Sequence, residues 1–368
     1  MTTVLLLGYC LLWLLGVAYG AWCFARRKGA PAPVRLPVPL PRVSILLAAR
    51  NEEAALPRCL ASLRALHYPP QLLEVLLGDD ASTDGTAAVA RQAMRGFAGQ
   101  FRIIPIAENR GQARGKANVL AHLARHATSQ YFFITDADIS LPPTWVEALL
   151  AHAAPGVGTV TGITAVRGPR LFHQLQGIDW LLSLALIQVV SDSGRPVTAM
   201  GNNMLVTREA YEATGGYENL PFSVTEDYAL FKAVIARGFG FRHVFSDKAR
   251  ADSLPIPSWG ALLRQRRRWL RGVEALPLRL RTELAVYGMF WPVLLALGCT
   301  AGPAAALAVW LGKMLVQGTL AGLAHRRAGL PMRWPLLPLF DFYALGLLVS
   351  LLGFRLFGGA VVWKGRRY

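Results

Sequence analysis

Hydrophobic and polar positions divide the chain into three kinds of segment. From Thr3 to Phe24, 22 residues pass without a charge, enough for a helix to cross a bilayer. Leu284 to about Phe357 is similarly apolar, interrupted by Gly302-Pro303 and by the basic patch His325-Arg326-Arg327. Between these ends the patterning is that of a globular protein, with short apolar runs alternating with stretches of helical spacing.

Val43 to Ala49 reads as a buried strand ending at Arg50-Asn51-Glu52-Glu53. Asn51 is placed to cap a helix whose apolar positions are Leu56, Leu60, Leu63 and Leu66. Further strands are predicted over Leu73–Leu77, Phe101–Ile106, Tyr131–Thr135, about Thr159–Val166, and Gly201–Val206. Helices are predicted around Trp145–His152, over Leu171–Val190, and from a Thr225 cap through Ala236. This alternation predicts an α/β domain built on a doubly wound, mostly parallel sheet. Pro257–Val273 puts Trp259, Leu262, Leu263, Leu270 and Val273 on one side of a helical wheel. Arg264, Arg267, Arg268 and Arg271 fall on the other, which predicts an amphipathic helix at a membrane surface. Five prolines, at 31, 33, 37, 39 and 41, predict a stiff extended spacer. The expected organisation is therefore a transmembrane helix in 1–28, a Pro-rich linker in 29–42, a catalytic domain in 43–256, an interface helix in 257–283, and a membrane region in 284–368.

Charge adds orientation. Arg26-Arg27-Lys28 directly follow the first apolar run, which lacks a basic segment before it and a small-residue cleavage site after it. It therefore predicts an anchor and not a signal peptide, with the N-terminus outside and the domain cytoplasmic at the inner (cell) membrane. The formal charge of +17 gathers beside the apolar spans, which fits anionic membrane lipids and argues against nucleic acid. At the C-terminal end, spans are predicted over about Leu284–Thr300 and Pro303–Leu323, giving two crossings or, with the last segment, three. A complete crossing over Trp334–Phe357 would put Lys364, Arg366 and Arg367 outside and Asp341 in lipid, so a re-entrant or interfacial hairpin is expected there. The four cysteines have no zinc or disulfide spacing.

Candidate chemistry sits at the strand ends. Asp136 and Asp138 end the Tyr131 strand, where ligands of open α/β sheets collect. Paired carboxylates suit a hard cation, Mg2+ or Mn2+, shared with the phosphates of a nucleotide diphosphate; a capped turn before Leu141-Pro142-Pro143 would look similar. Asp79 and Asp80, in the acidic turn Gly78–Thr86, can accept hydrogen bonds from a base or a ribose, and Asp84 can cap the next helix. The loop Glu108–Asn118 reads as flexible and basic, with Lys116 the diphosphate contact; a solvated loop is the plainer alternative. His122 and His126 read as a surface pair. No G-x-G-x-x-G or Walker loop occurs. Glu226 and Asp227 open a helix after Thr225, where the dipole would hold the Asp227 carboxyl low and ionised.

Four motifs, Asp79-Asp80, Asp136-Ala137-Asp138, Thr225-Glu226-Asp227 and Gln265-x-x-Arg268-Trp269, occur in one order between flanking apolar spans. In this the chain resembles the membrane-bound inverting glycosyltransferases of family 2, with the GT-A fold, in their ceramide glucosyltransferase-like and cellulose synthase-like branch. The resemblance implies a nucleotide-sugar donor, usually a UDP-sugar, a β-linked product and a divalent metal. It implies Asp80 or Asp79 at the base, Asp136 and Asp138 at the metal diphosphate, and Asp227 as general base. Glu226, Gln265, Arg268 and Trp269 would then serve the acceptor and diphosphate. The Phe-x-Val-Thr stretch of cellulose synthase is missing after Trp269, so a membrane lipid is the expected acceptor. A processive polysaccharide synthase is the alternative. A non-catalytic nucleotide-sugar binding protein is a third reading, against which every expected carboxylate is present.

Overall fold

The computed structural model describes residues 1–27, 29, 32–274, 276–357, 362–363 and 366–367. Readings that rest on Lys28, Pro31 and Lys364, or on the side chains of Arg271, Arg366 and Arg367, lie outside the described residues. Two compact units are present. One comprises Ala30–Arg167 with Gly194–Leu254, and the other Met1–Gly29, Gly168–Ser193 and Pro255–Tyr368. The helix Leu171–Asp192, expected within the catalytic domain, thus belongs with the apolar helices.

The first unit is built on strands β1 (Val43–Ala49), β2 (Leu73–Asp79), β3 (Gln100–Pro105), β4 (Tyr131–Asp136), β5 (Ile139–Ser140), β6 (Val157–Thr161), β7 (Thr164–Val166), β8 (Asn203–Thr207), β9 (Gly240–His243) and β10 (Ala251–Ser253). Seven form one sheet in the order β3-β2-β1-β4-β8-β6-β9, and β5-β10-β7 form a second. Strands β1 to β4 run parallel, and so do β6 and β9, while β8 is antiparallel to both β4 and β6. Helices cover both faces of the main sheet, so β1 is apolar nearly throughout. Val43, Ile45, Leu47 and Ala49 join a core with the helix Leu56–Arg64 and with Trp145. Leu46 faces a second core with the helices Lys116–His126 and Glu226–Ala236. Gly78 in β2 admits that packing, since a Cβ there would stand 2.3 Å from Val119 Cγ1.

Register gathers the strand ends. Ala49 pairs with Asp79, Ala48 with Asp136, and Thr135 with Asn203. Because β8 runs antiparallel, its beginning lies at the same edge as the ends of β1, β2 and β4. The Pro-rich segment does not stand free of this unit. Val34 N–H donates to Ala151 O at 2.7 Å, and Leu36 and Leu40 pack on the core.

Among the described residues of the second unit, three helical segments are each long and apolar enough to cross a membrane: Thr2–Arg26, Pro303–Arg327 and Trp334–Gly353. The expected span Leu284–Thr300 falls in two helices, Leu278–Gly288 and Phe290–Ala301, which are bent by 40° and together long and apolar enough for a broken span or a re-entrant loop. Pro292 in the first turn of the second helix explains the break. The carbonyls at the bend find donors on the first helix: Tyr9 Oη–H reaches Val286 O at 2.6 Å and Trp13 Nε1–H reaches Tyr287 O at 3.2 Å. A broken helix at membrane depth needs such partners. The amphipathic helix runs Trp259–Glu274. On its apolar side Leu262 and Leu263 are buried and Trp259 packs against Phe172 and Tyr343, while Leu270 and Val273 are half-buried. Asp341 is fully buried, ion-paired with Lys313, and accepts from Trp310 Nε1–H at 2.7 Å. The ion pair removes the objection that Asp341 raises to a complete crossing and leaves the one raised by the basic residues 364, 366 and 367 as it was.

Candidate active site

The two acids after β2 have separate tasks. Asp79 Oδ1 accepts from Ser82 N–H at 3.0 Å and closes the turn. Asp80 meets Arg50, whose guanidinium reaches the Asp80 carbonyl at 3.0 Å and its carboxylate at 3.5 Å. Asn51 is not a helix cap, since the next helix begins at Leu56 with Ala55 before it. Held at φ 54°, Asn51 accepts from Thr83 N–H at 2.8 Å and so ties the end of β1 to the acidic turn. Asp84 stands one residue before the N-cap Gly85 of the helix Thr86–Ala93 and accepts from Thr86 N–H at 3.0 Å, and the Thr86 hydroxyl holds its carboxyl below the usual value.

At the end of β4, Asp136 and Asp138 flank Ala137. Burial pushes the Asp138 carboxyl up to about 6, reinforced by the charges of Asp136 and Glu52. Arg58 fixes the turn by donating to Asp138 O at 3.1 Å and to Asp252 O at 2.8 Å. Neither Glu52 nor Arg58 was singled out by sequence. Glu52 follows a strand end and carries a visible signal, whereas Arg58 acts through backbone carbonyls and carries none.

Lys116 does not project from a flexible loop. Asn118 Oδ1 accepts from Arg110 N–H at 2.8 Å while its amide donates to Glu108 O at 2.8 Å, and Gln112 N–H donates to Glu218 O at 2.9 Å. His122 is buried against the same loop, 3.1 Å from Glu108 O, and only His126 is exposed; the expected surface pair is corrected. Asn118 and His122, four apart at a helix start, were a readable signal for this clamp. Lys116 Nζ stands 2.6 Å from Asp136 Oδ1, 3.0 Å from Glu226 Oε1 and 3.3 Å from Gly201 O. Burial alone would lower its pKa, but Asp136, Glu226 and Asp227 together raise it above the ordinary lysine value. The ammonium is thus a permanent charge shared among acids, not a side chain free to seek phosphate.

Asp227 accepts from Gly201 N–H at 2.9 Å and from Tyr228 N–H at 2.8 Å. The dipole argument predicted a depressed carboxyl, but burial pushes it up to about 6, with Glu226 adding to the rise and Lys116 opposing it. Desolvation outweighs a helix terminus here. Thr225 stands at the N-cap position without capping by its side chain, its hydroxyl lying 3.2 Å from Ser223 Oγ.

Asp79, Asp80, Asp136, Asp138, Lys116, Glu226 and Asp227 therefore share one edge of the first unit. Gln265, Arg268 and Trp269 lie on the helix Trp259–Glu274 of the second. There Trp269 packs on Trp180 with ring centroids 4.7 Å apart, and Arg266, ion-paired with Asp179, lies 4.4 Å over the Trp269 ring.

A family model described as glycosyl transferase family 21 matches residues 8–368. The chain belongs to this family. That agrees with the ceramide glucosyltransferase-like resemblance drawn from its motifs. The family 21 chain is 27% identical over 196 residues to a beta-monoglucosyldiacylglycerol synthase of Synechocystis sp., covering 52% of this chain and 40% of that protein. It is 26% identical over 258 residues to a poly-beta-1,6-N-acetyl-D-glucosamine synthase of Staphylococcus epidermidis, covering 68% and 57%. The chain spans about half the length of these curated relatives. Among solved structures, the mannosyltransferase PcManGT from Pyrobaculum calidifontis, in complex with GDP-Man and Mn2+, superposes with a TM-score of 0.63 at 20% identity, over 96% of this chain and 99% of that one. This bears out the GT-A fold.

The donor set of the family 21 site can be tested against a divalent metal. Among the described residues there is no group of three or more His, Cys, Asp or Glu able to hold one. Two carboxylates suffice for Mg2+ or Mn2+ when phosphate oxygens and water complete the shell. An oxygen-only set in which Asp136 and Glu52 crowd Asp138 fits a hard cation that would relieve the repulsion.

Proposed function

We propose that this family 21 member moves a sugar from a nucleotide-diphosphate donor, a UDP-sugar by expectation, to the hydroxyl of a membrane lipid, with inversion to a β-glycoside. The observation that carries this reading is the convergence of Asp136 and Glu226 on Lys116, with Asp227 held beside them by Gly201. Asp227 receives the acceptor's proton. A carboxyl lifted to about 6 is a better base than an ordinary aspartate yet still ionised at neutral pH. Such general base catalysis contributes roughly 10²- to 10⁴-fold. Asp136 and Asp138 would hold Mg2+ or Mn2+, which when bound supplies positive charge opposite the leaving diphosphate. Asp80, backed by Arg50, serves the base of the nucleotide. Glu226, Gln265, Arg268 and Trp269 serve the acceptor and diphosphate. Lys116 keeps the acids from repelling one another.

The name of the Synechocystis relative supports a lipid acceptor, and the GDP-Man and Mn2+ of the PcManGT complex support a nucleotide-sugar donor and a cation. The basic residues flanking the apolar segments support anionic lipid around the protein, an inner-membrane location, and a cytoplasmic first unit. The name of the Staphylococcus relative supports the processive alternative.

Protein in detergent, incubated with lipid extract and a panel of radiolabelled UDP- and GDP-sugars, is expected to give one labelled glycolipid. A long polysaccharide from donor alone would replace this reading with the processive one, and no consumption of any donor would leave a binding protein. Asp227→Asn is expected to keep donor affinity and to lose transfer by at least about 100-fold. Normal turnover in that variant refutes the assignment of the base.

A further inference from the structure

We propose that Gly201 is a positioning residue for this reaction: its backbone N–H holds Asp227 and its carbonyl holds Lys116, and its missing side chain is the space that Asp227 occupies. The inference rests on the reading of Asp227 as general base.

Gly201 is buried two residues before β8, at the sheet edge where the acids gather. Its N–H donates to Asp227 Oδ2 at 2.9 Å, and its carbonyl accepts from Lys116 Nζ at 3.3 Å. The two polar backbone groups of one residue, on successive peptides, thus fix both the acid that takes the proton and the cation that holds its neighbours. A Cβ at position 201 would lie 2.6 Å from Asp227 Cβ, 2.9 Å from Oδ2 and 3.0 Å from Cγ. Gly201 is not among the residues at positive φ, so its backbone could be adopted by alanine. Proximity, and not conformation, requires glycine.

The approach cannot be relieved by moving the turn that carries Gly201. Asn203 N–H donates to Met200 O at 2.9 Å, the Thr135 hydroxyl donates to Asn202 O at 3.0 Å, and the Thr164 hydroxyl donates to Asn202 Oδ1 at 3.0 Å. Nor does the nearest contact belong to the far end of a flexible side chain, since Asp227 Cβ moves only with the first turn of its helix. A methyl group at 201 therefore displaces the base. A misplacement of about 1 Å at a reacting group is enough to cost on the order of 100-fold in rate.

The test is a double-mutant cycle on the full chain, with donor dissociation constant, kcat and thermal midpoint measured for each variant. Gly201→Ala is expected to lower kcat about 100-fold with donor affinity unchanged, because Asp80, Asp136 and Asp138 are untouched. Gly201→Ala/Asp227→Asn is expected to be no slower than Asp227→Asn alone, since residues acting as a unit are non-additive. Should Gly201→Ala fail to fold, Thr164→Val removes one of the three bonds that hold the turn without adding volume, and a smaller fall in kcat with the same non-additivity is expected. Wild-type kcat in the folded variants overturns the inference, as does a double variant slowed by the product of the two single effects. The base assignment fails separately, through normal turnover of Asp227→Asn itself.

Discussion

At the scale of single residues, the site is governed by competition between burial and charge. Asp227 shows the balance: two backbone N–H groups and a lysine favour its ionised form, yet burial and Glu226 lift it to about 6. The sign for catalysis follows. Below that value the base is protonated and idle, so kcat at saturating donor is expected to rise through about pH 6 and level off above it. Glu226→Gln removes a neighbouring negative charge and favours the Asp227 anion. The acid limb of its pH–rate profile is expected to move to lower pH, with the plateau lowered if Glu226 also contacts the acceptor. An acid limb that stays in place or moves upward would separate Glu226 from the base. The acids themselves were legible in the sequence, because strand ends and a helix start mark where they fall. The place of Lys116 was not. Its loop is rich in glycine and arginine, but whether a lysine meets phosphate or carboxylate depends on partners far along the chain, Asp136 and Glu226, that no local pattern connects to it.

At the scale of elements, β8 carries more than its sequence suggests. Its first residue, Asn203, is fully buried and wholly satisfied: the side-chain amide donates to Ile163 O at 2.7 Å and Ala249 O at 2.8 Å, and its oxygen accepts from Trp145 Nε1–H at 2.8 Å. One side chain thus joins the main sheet to the segments leading into β7 and β10 and to the helix Trp145–Leu150. Asn203→Leu has comparable bulk but takes away the partner of the Trp145 indole N–H and of the Ala249 carbonyl, each costing about 1–3 kcal/mol, while Ile163 O keeps the Ala251 N–H at 2.9 Å. A loss of roughly 2 kcal/mol or more is expected, read as a lowered midpoint in thermal or denaturant unfolding. A variant as stable as wild type would mean that water replaces the amide. Apolar runs announced most of the strands, since β1, β2 and β4 are covered on both faces and read as continuous hydrophobic stretches. The reversed direction of β8 was hidden, because side-chain alternation is the same for parallel and antiparallel strands. That direction brings Gly201 to the acids. The missed caps have another cause: Asn51 and Thr225 are of the right residue type, but Asn51 is bonded to Thr83 in the acidic turn and the Thr225 hydroxyl to its near neighbour Ser223.

At the scale of the whole molecule, long apolar runs were read correctly as helices, while their mutual dependence was not legible. Asp341 was visible as a charge that lipid would not tolerate; Lys313, on a different apolar helix, went unremarked because charge counting assigns no partners. The pair is buried, and Trp310 adds a third polar contact. The consequence concerns membrane insertion more than catalysis. An unpaired lysine or aspartate near the middle of a span costs about 2.5–3.5 kcal/mol on insertion scales, whereas a pair can enter together with its charges cancelled. Asp341→Leu therefore strands Lys313 in an apolar setting and is expected to lower the yield of monodisperse protein extracted from membranes. Asp341→Leu/Lys313→Leu is expected to restore it, since replacing a buried ion pair by apolar residues is often neutral or stabilising. A single variant extracted as well as wild type would show that Lys313 reaches water or a headgroup, and a double variant no better than the single one would show that Trp310 and packing volume, not charge, hold Asp341 in place. Either result would bear directly on Trp334–Gly353, because a segment whose one acid is paired inside the protein can span the bilayer, and one whose acid needs water cannot.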